Sequence, residues 1–320
     1  MMDWTDRHCR YLHRLMSTQT LLYTEMVTAA AIVRGGAVHL IGFHQDEAPV
    51  ALQLGGADPV ELAVAAKLAG EAGYGEVNLN VGCPSDRVQS GCFGAVLMEQ
   101  PEHVADCLAA MAEATCAEVT VKCRIGVDDQ TPSEVLPDFL EHMRRAGISR
   151  VSIHARKAWL QGLSPKENRE VPPLDYPLVL AMKAAFPDLH ISVNGGITSL
   201  DQAQGFLDAG LDGVMIGRAA YHRPSDILLE ADLRIFGAKA APKTPEAVVR
   251  QMLPYIQDHL DQGGRLAQVT RHMLGLFAEH PGARLWRRLL SENAHRPDAG
   301  VALVEDTLER VLSAGQSTAA

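Results

Sequence analysis

Seven short runs rich in β-branched and other apolar residues recur before residue 217, each followed by a stretch of helical composition. They span residues 22–28, 50–54, 76–81, 118–123, 150–154, 190–193 and 213–216, with Ala-, Leu- and Glu-rich segments such as 59–72 and 101–113 between them. Asp58-Pro59 reads as an N-cap followed by a first-turn proline, which marks a helix start. Strands that alternate with helices build a parallel sheet, because each parallel return needs a crossover. Both faces of such a sheet are covered, so runs such as Val50-Ala51-Leu52-Gln53-Leu54 are expected to show little alternation. A closed barrel needs eight strands. The first helix candidate, residues 5–17, begins almost at once, where a strand should precede it; either the sheet is open or a first strand is missing from this sequence.

After Tyr221 the pattern changes. From about Thr244 the chain reads as helix after helix, with Pro242 and Pro245 at the boundary and breaks at Gly263-Gly264 and Pro281-Gly282. The expected organisation is an α/β barrel domain over 1–240, a small all-helical domain over 241–315 and a tail at 316–320. Only residues 313–320 read as disordered.

The 320 residues hold six cysteines and no C-x-x-C pair, which argues against a disulfide framework or zinc ribbon and for a reducing compartment. The N-terminus is charged almost immediately, unlike a secretory signal, and no apolar run approaches the ~18–20 residues of a membrane span. A cytoplasmic protein without a metal site is expected. The formal net charge of −10 by itself argues against a nucleic-acid partner, although net charge does not report local potential. Locally, Arg150, Arg156, Lys157, Lys166 and Arg169 outnumber nearby acids, as do Arg265, Arg271, Arg284, Arg287, Arg288 and Arg296.

The strand ends carry unusual residues: Gln53, then Asn78 to Pro84, Lys122-Cys123-Arg124, His154-Ala155-Arg156, Asn194-Gly195-Gly196 and Gly217-Arg218. In α/β barrels the site lies at the C-terminal ends of the strands, with phosphate often held after the last two. Glycines let backbone N–H groups approach a phosphate, and Arg218 could pair with it. Singly, Asn-Gly-Gly is a turn, and a buried lysine or histidine is often structural. The weight comes from concurrence at six successive strand ends on one rim. Cys9, Cys92, Cys107, Cys116 and Cys123 are assigned to the core.

Residues 76–95, from Glu76-Val77-Asn78-Leu79-Asn80-Val81-Gly82-Cys83-Pro84 onward, resemble the signature of tRNA-dihydrouridine synthases. Residues 154–170, with Lys157-Ala158-Trp159-Leu160, and the opening Asp3-Trp4-Thr5-Asp6-Arg7 resemble the DusA subfamily. The similarity extends over nearly the whole chain, including Leu285-Trp286-Arg287-Arg288. The resemblance implies a (β/α)₈ TIM barrel followed by a helical tRNA-binding domain, with FMN as cofactor and NADPH as reductant. By position it implies Cys83 as the catalytic acid. Gln53, Lys122, His154, Asn194, Gly195, Gly196, Gly217 and Arg218 would hold FMN. Asn80, Lys166, Arg169, Arg284 and Arg287 would touch tRNA. Members of the family begin with a strand ending Ala-Pro-Met that walls the flavin, and Met1 stands at that methionine. A first strand missing from this sequence is therefore expected, with a misplaced start preferred to a true truncation.

The implied chemistry places a hydride on carbon 6 of uracil and a proton on carbon 5. An ordinary thiol is mostly protonated at neutral pH, so Cys83 can serve as that acid. A uridine stacked in tRNA must flip out to be reached, at a cost of a few kcal/mol. Partly unstacked loop uridines cost least, in keeping with a D-loop target. A small-molecule flavin barrel resembling dihydroorotate dehydrogenases is the first alternative. It needs neither a helical domain nor the Lys166-Glu167-Asn168-Arg169 loop. A tRNA-binding protein without flavin is the second. No obligatory protein partner is expected.

Overall fold

A computed structural model describes residues 1–85 and 91–319, with side chains through Ala314. Residues 86–90 of the signature lie outside it. The chain opens on α1 (Arg7–Met16), where Asp6 accepts from the backbone N–H groups of His8 and Cys9. Then β1 (Leu22–Thr28) leads through α2 (Ala29–Val33) to β2 (Val50–Gly55). From there strands and returning helices alternate: α3 (Pro59–Glu71), β3 (Glu76–Val81), α4 (Pro101–Ala114), β4 (Glu118–Arg124), α5 (Pro132–Arg145), β5 (Arg150–His154), α6 (Tyr176–Ala185), β6 (His190–Asn194), α7 (Leu200–Asp208) and β7 (Gly213–Met215). The seven strands form one parallel sheet in chain order. Each lies within about one residue of its sequence expectation. Asp58 caps α3 through the N–H groups of Val60 and Glu61, with Pro59 in the first turn, as read from the sequence.

The sheet is a curled, incomplete barrel, a (β/α)₈-type architecture with seven strands. Among the described residues β1 pairs only with β2 and β7 only with β6. The first residues lie across this gap. The Asp3 N–H donates to the Glu25 carboxylate on β1, and the Met1 sulfur sits 3.4 Å from where a Cβ on Gly217, just past β7, would stand.

As expected, both faces are covered, with β2 and β3 buried at every position, while the residue type alternates between the two faces. Leu52, Leu54, Val77, Leu79, Val121, Cys123, Val151, Ile153, Ile191 and Val193 face the helices and form the larger core. The residues between them, among them Gln53, Asn78, Asn80, Thr120, Lys122, His154 and Asn194, belong to the opposite, inner face. Parallel registry sets this inner set into levels, with Asn80 opposite Lys122 and Arg124, His154 and Asn194 in one row.

Beyond β7 come α8 (Arg218–His222), α9 (Pro224–Leu228), α10 (Ala231–Arg234), α11 (Pro245–Asp261), α12 (Leu266–Met273), α13 (Ala283–Asn293) and α14 (Val301–Ala319). Thr244 caps α11 through the Ala247 N–H. A second core gathers Val248, Met252, Ile256, Val269, Met273, Trp286, Leu290, Val304, Leu308 and Val311. Leu12 and Met16 of α1 and Ala220, Ile227 and Leu228 join it, so helices on both sides of residue 240 share one apolar interior. Trp286 is fully buried, its indole N–H donating to the Met273 carbonyl at 2.8 Å. α14 continues through residues 313–319, the part of the expected tail that the structure describes. The stripe Val304, Leu308 and Val311 anchors that helix, and propagation is easier than nucleation.

Cys9, Cys107 and Cys123 are buried as expected, but Cys92 and Cys116 are exposed, because both sit in turns outside the packed layers. Among the described residues no helix is long and apolar enough to cross a membrane, and no cluster of three or more metal-ligating side chains occurs.

Candidate active site

The site begins with an asparagine near the end of β3. Asn80 Oδ1 accepts from the backbone N–H groups of both Gly82 and Cys83 at 3.0 Å, which fixes the peptide that presents Cys83. Its Nδ2 donates to Gln53 Oε1 at 2.9 Å. From there a hydrogen-bonded ladder runs down the inner face. Gln53 Nε2 donates to Asn78 Oδ1, Asn78 Nδ2 to Thr120 Oγ1, and Thr120 Oγ1 to Glu76 Oε1, at 3.0, 2.8 and 2.7 Å. Tyr23 and Arg150 also donate to the Glu76 carboxylate. Gln53 and Asn80 are thus buried members of this ladder. Cys83 itself is half-buried, with its carbonyl accepting from Ala95 N–H at 2.9 Å and its sulfur 3.5 Å from Ser85 Oγ.

A buried arginine joins this peptide to the loop after β5. Arg124 Nε donates to the Gly82 carbonyl at 3.0 Å, and Nη1 to the carbonyls of Asn168 and Lys157 at 2.9 and 3.2 Å. Its burial lowers its pKa to about 10, so it stays cationic at neutral pH. Asn168, fully buried, wires the loop internally by donating to the carbonyls of Trp159, Leu163 and Ser164. Arg124 and Asn168 stand in motifs noted in the sequence, where neither is assigned a role. The two-residue step from Lys122 to Arg124, which puts both on the inner face, was the available signal.

Lys122 and His154 face the same space. Burial, followed by the nearby Arg124 charge, brings Lys122 down to about 8. His154 is buried, and desolvation with Arg124 and Lys122 beside it holds its pKa well below the usual value, leaving a neutral imidazole at pH 7. Gly195 lets that ring approach: at its φ of +107° an added Cβ would lie 2.4 Å from His154 Cδ2. Gly196 likewise has φ +72° and faces Leu174 and the Tyr176 hydroxyl, which donates to the Gly195 carbonyl at 2.6 Å. Asn194 Nδ2 donates to the Met215 carbonyl at 2.8 Å. Met1 lies against Gly217, at the start of α8.

Arg169 belongs to this rim, its Nε on the Pro165 carbonyl at 2.8 Å; burial, then repulsion from Arg218, lowers its pKa. Arg218 pairs with Glu170 at 2.7 Å. Lys122, Arg124, Arg156, Arg169 and Arg218 therefore surround the Cys83 end of the sheet, with Glu170 as the carboxylate paired into the group. The rim is cationic although the whole chain is acidic.

The remaining sequence-derived residues lie apart. Lys166 is exposed on the β5 loop. Arg284 and Arg287 are exposed one turn apart on α13. Arg287 lines a cleft of about 580 Å³ with Tyr221, His222, Arg223, Arg271 and Glu279, between α8 and the helical core. Trp4 stacks on Tyr221 with ring centroids 4.6 Å apart.

A parallel barrel with polar and glycine-rich strand ends around one half-buried thiol is the frame of an oxidoreductase, and comparison places this chain in that class. The profile described as "Dihydrouridine synthase (Dus)" matches residues 1–313, and the chain belongs to that family. It is 56% identical over 312 residues to the tRNA-dihydrouridine(20/20a) synthase of Vibrio cholerae, covering 97% of this chain and 94% of that protein. It is 58% identical over 305 residues to the protein of the same name from Shewanella oneidensis, covering 95% and 90%. For the Escherichia coli K12 protein of that name the identity is 56% over 312 residues, covering 97% and 90%. Among solved structures, morphinone reductase in complex with tetrahydroNAD is similar in fold, with TM-score 0.51 and 13% identity over 76% of this chain and 85% of that one.

Proposed function

We propose that this enzyme reduces uridines in the D-loop of tRNA to 5,6-dihydrouridine, using FMN as cofactor and NADPH as reductant. The carrying observation is the half-buried Cys83 thiol, held by Asn80 and Arg124 inside a cationic rim. The residues present fit a flavin mononucleotide. Gly195 and Gly196 hold positive φ, +107° and +72°, at a strand end where main-chain N–H groups can turn to an anion, and among the described residues the buried Arg156 Nε has no hydrogen-bond partner. Asn194, Gly195, Gly196, Gly217 and Arg218 would hold the phosphate. Gln53, Lys122 and the neutral His154 would line the ring, with Met1 as a wall. Bound there in reduced form, the cofactor supplies the hydride.

The protein's own work is the rest. Asn80 and Arg124 fix the Cys83 peptide, and the thiol gives its proton to carbon 5 of the uracil. The rim cations and the helical domain, residues 241–315 with Arg284 and Arg287, hold the RNA while the target base is flipped out. A tRNA substrate implies a cytoplasmic setting. The direct test is incubation with unmodified tRNA, NADPH and FMN, followed by nucleoside mass spectrometry. Formation of dihydrouridine is expected; its absence, or a purified protein that never binds flavin, would overturn the reading.

Lys166→Ala and Arg169→Ala are each expected to weaken tRNA binding while leaving NADPH oxidation by the holoenzyme unchanged. Each lost phosphate contact should lower the slope of log affinity against log salt by about one unit. Filter binding across a salt series checks this, and equal loss of flavin reduction would place the loop at the cofactor.

Lys122 gives a pH dependence. Its charge is lost as pH rises through about 8, so retention of an anionic cofactor should weaken above that pH. The apoprotein should move the other way. A lysine whose folded pKa is depressed binds fewer protons folded than unfolded, so its stability penalty is full below about 8 and fades as pH rises to 10.5. Flavin fluorescence on release reads the first effect, and Lys122→Met should abolish it.

A further inference from the structure

We propose that Trp159 is a stacking surface for an unpaired nucleobase of the substrate RNA, next to the uridine that enters the site. This rests on the tRNA reading above. Of the three tryptophans, Trp159 is the one open to solvent, at 36% exposure, whereas Trp286 is fully buried and Trp4 stacks on Tyr221; the exposed Phe236 follows α10 and carries no such loop around it. Its one ring contact is with a cation, the Lys157 ammonium 5.2 Å from the ring centroid.

The backbone beneath that ring is fixed on both sides. Trp159 N–H donates to Asn168 Oδ1 at 2.7 Å, and its carbonyl accepts from Asn168 Nδ2 at 2.8 Å. Ala158 on one side exchanges hydrogen bonds with Gly126 and Asp128, and Leu160 on the other donates to the Asp128 carboxylate at 2.8 Å. An exposed indole on so constrained a peptide is preorganised, and little of its freedom is left to lose on binding.

Its place relative to the chemistry follows from Arg124. One guanidinium binds the Gly82 carbonyl, beside Cys83, and the carbonyls of Lys157 and Asn168, which flank Trp159 in the loop. The stacking face and the thiol therefore stand on two peptides joined by a single side chain. Lys157, Lys166 and Arg169 on the same loop supply the charge that a phosphodiester strand requires. A flat π surface flanked by cations is how proteins hold single-stranded nucleic acid without reading its sequence. A base flipped from a loop leaves its neighbour without a stacking partner, and Trp159 replaces that partner.

The test uses the FMN-loaded holoenzyme and unmodified tRNA transcript. Trp159→Ala is expected to weaken binding ~5- to 150-fold, the range for one lost base–aromatic stack, with flavin content and NADPH oxidation unchanged. Trp159→Phe should retain most of the affinity, and Trp159→Leu should behave like alanine. A transcript made abasic on both sides of the target uridine should bind weakly to the wild type and lose nothing more with Trp159→Ala. Wild-type affinity in the alanine variant, or rescue by leucine equal to that by phenylalanine, would overturn the proposal while the tRNA reading stands. A wild-type holoenzyme that neither binds nor modifies the transcript would overturn both.

Discussion

Cys83→Ala is expected to keep its flavin and to lose ~10²–10⁴-fold in the rate of dihydrouridine formation, the usual cost of removing a general acid. The peptide should hold its shape. Asn80 and Arg124 grip it through main-chain atoms of Gly82 and Cys83, and none of those bonds involves the thiol. Among the described residues the polar group beside the sulfur is Ser85 Oγ at 3.5 Å, so truncation strands no buried polar group among them. Binding of tRNA and reduction of the flavin by NADPH should both survive. Single-turnover measurement of the pre-reduced enzyme with tRNA isolates the affected step. A normal single-turnover rate would remove Cys83 from the mechanism and leave the proton to be sought elsewhere on the rim.

Arg124→Met should do damage of another kind. The side chain is 2% exposed, and its loss leaves the carbonyls of Gly82, Lys157 and Asn168 without that donor. Hydrogen bonds to a charged group contribute ~1.5–3 kcal/mol each, but partial relaxation recovers some of this, so a total destabilisation of ~3–5 kcal/mol is expected. Because the same residue aligns the Cys83 peptide with the β5 loop, turnover and tRNA affinity should fall together. Cys83→Ala, by contrast, changes turnover alone. Urea unfolding of the variant, set beside its kcat and Kd, checks this. A stability within ~1 kcal/mol of wild type would show that the two arms of the site are held by other contacts.

The layout of the barrel was legible because it is written in local chemistry. Seven β-rich runs, a proline after an N-cap and glycines past strand ends each act within a few residues, and each reappears in place. Inner-face parity was harder to see. Ala51 and the glycines mimic continuous apolar runs, and only the cross-strand bonds of Gln53, Asn78 and Thr120 show which face each residue serves. The wiring of Asn80 was hidden for the same reason. Its position in a motif suggests contact with substrate and does not tell that its side chain also binds two main-chain N–H groups and one glutamine. Arg124 and Asn168 stayed hidden because their partners are carbonyls between 33 and 44 residues away in the first case and loop carbonyls in the second. Main-chain acceptors leave no trace in a sequence. The extended α14 escaped because its support comes from the second core, not from its own composition.

The ladder beneath the site also has a direction. Asn80 donates to Gln53, Gln53 to Asn78, Asn78 to Thr120 and Thr120 to Glu76, so every link points the same way and ends on a group that only receives. No single amide in this series can turn over without setting two N–H groups or two oxygens face to face. The orientation of Asn80 is therefore fixed from both ends, by the main-chain N–H groups of Gly82 and Cys83 above and by the Glu76 carboxylate at the foot of the series. Exchanging Glu76 for glutamine would remove the charged acceptor at the foot, while the main-chain donors would still hold Asn80 in place. The five side chains form one continuous series, so a substitution at any one of them leaves a neighbour's donor or acceptor unpaired.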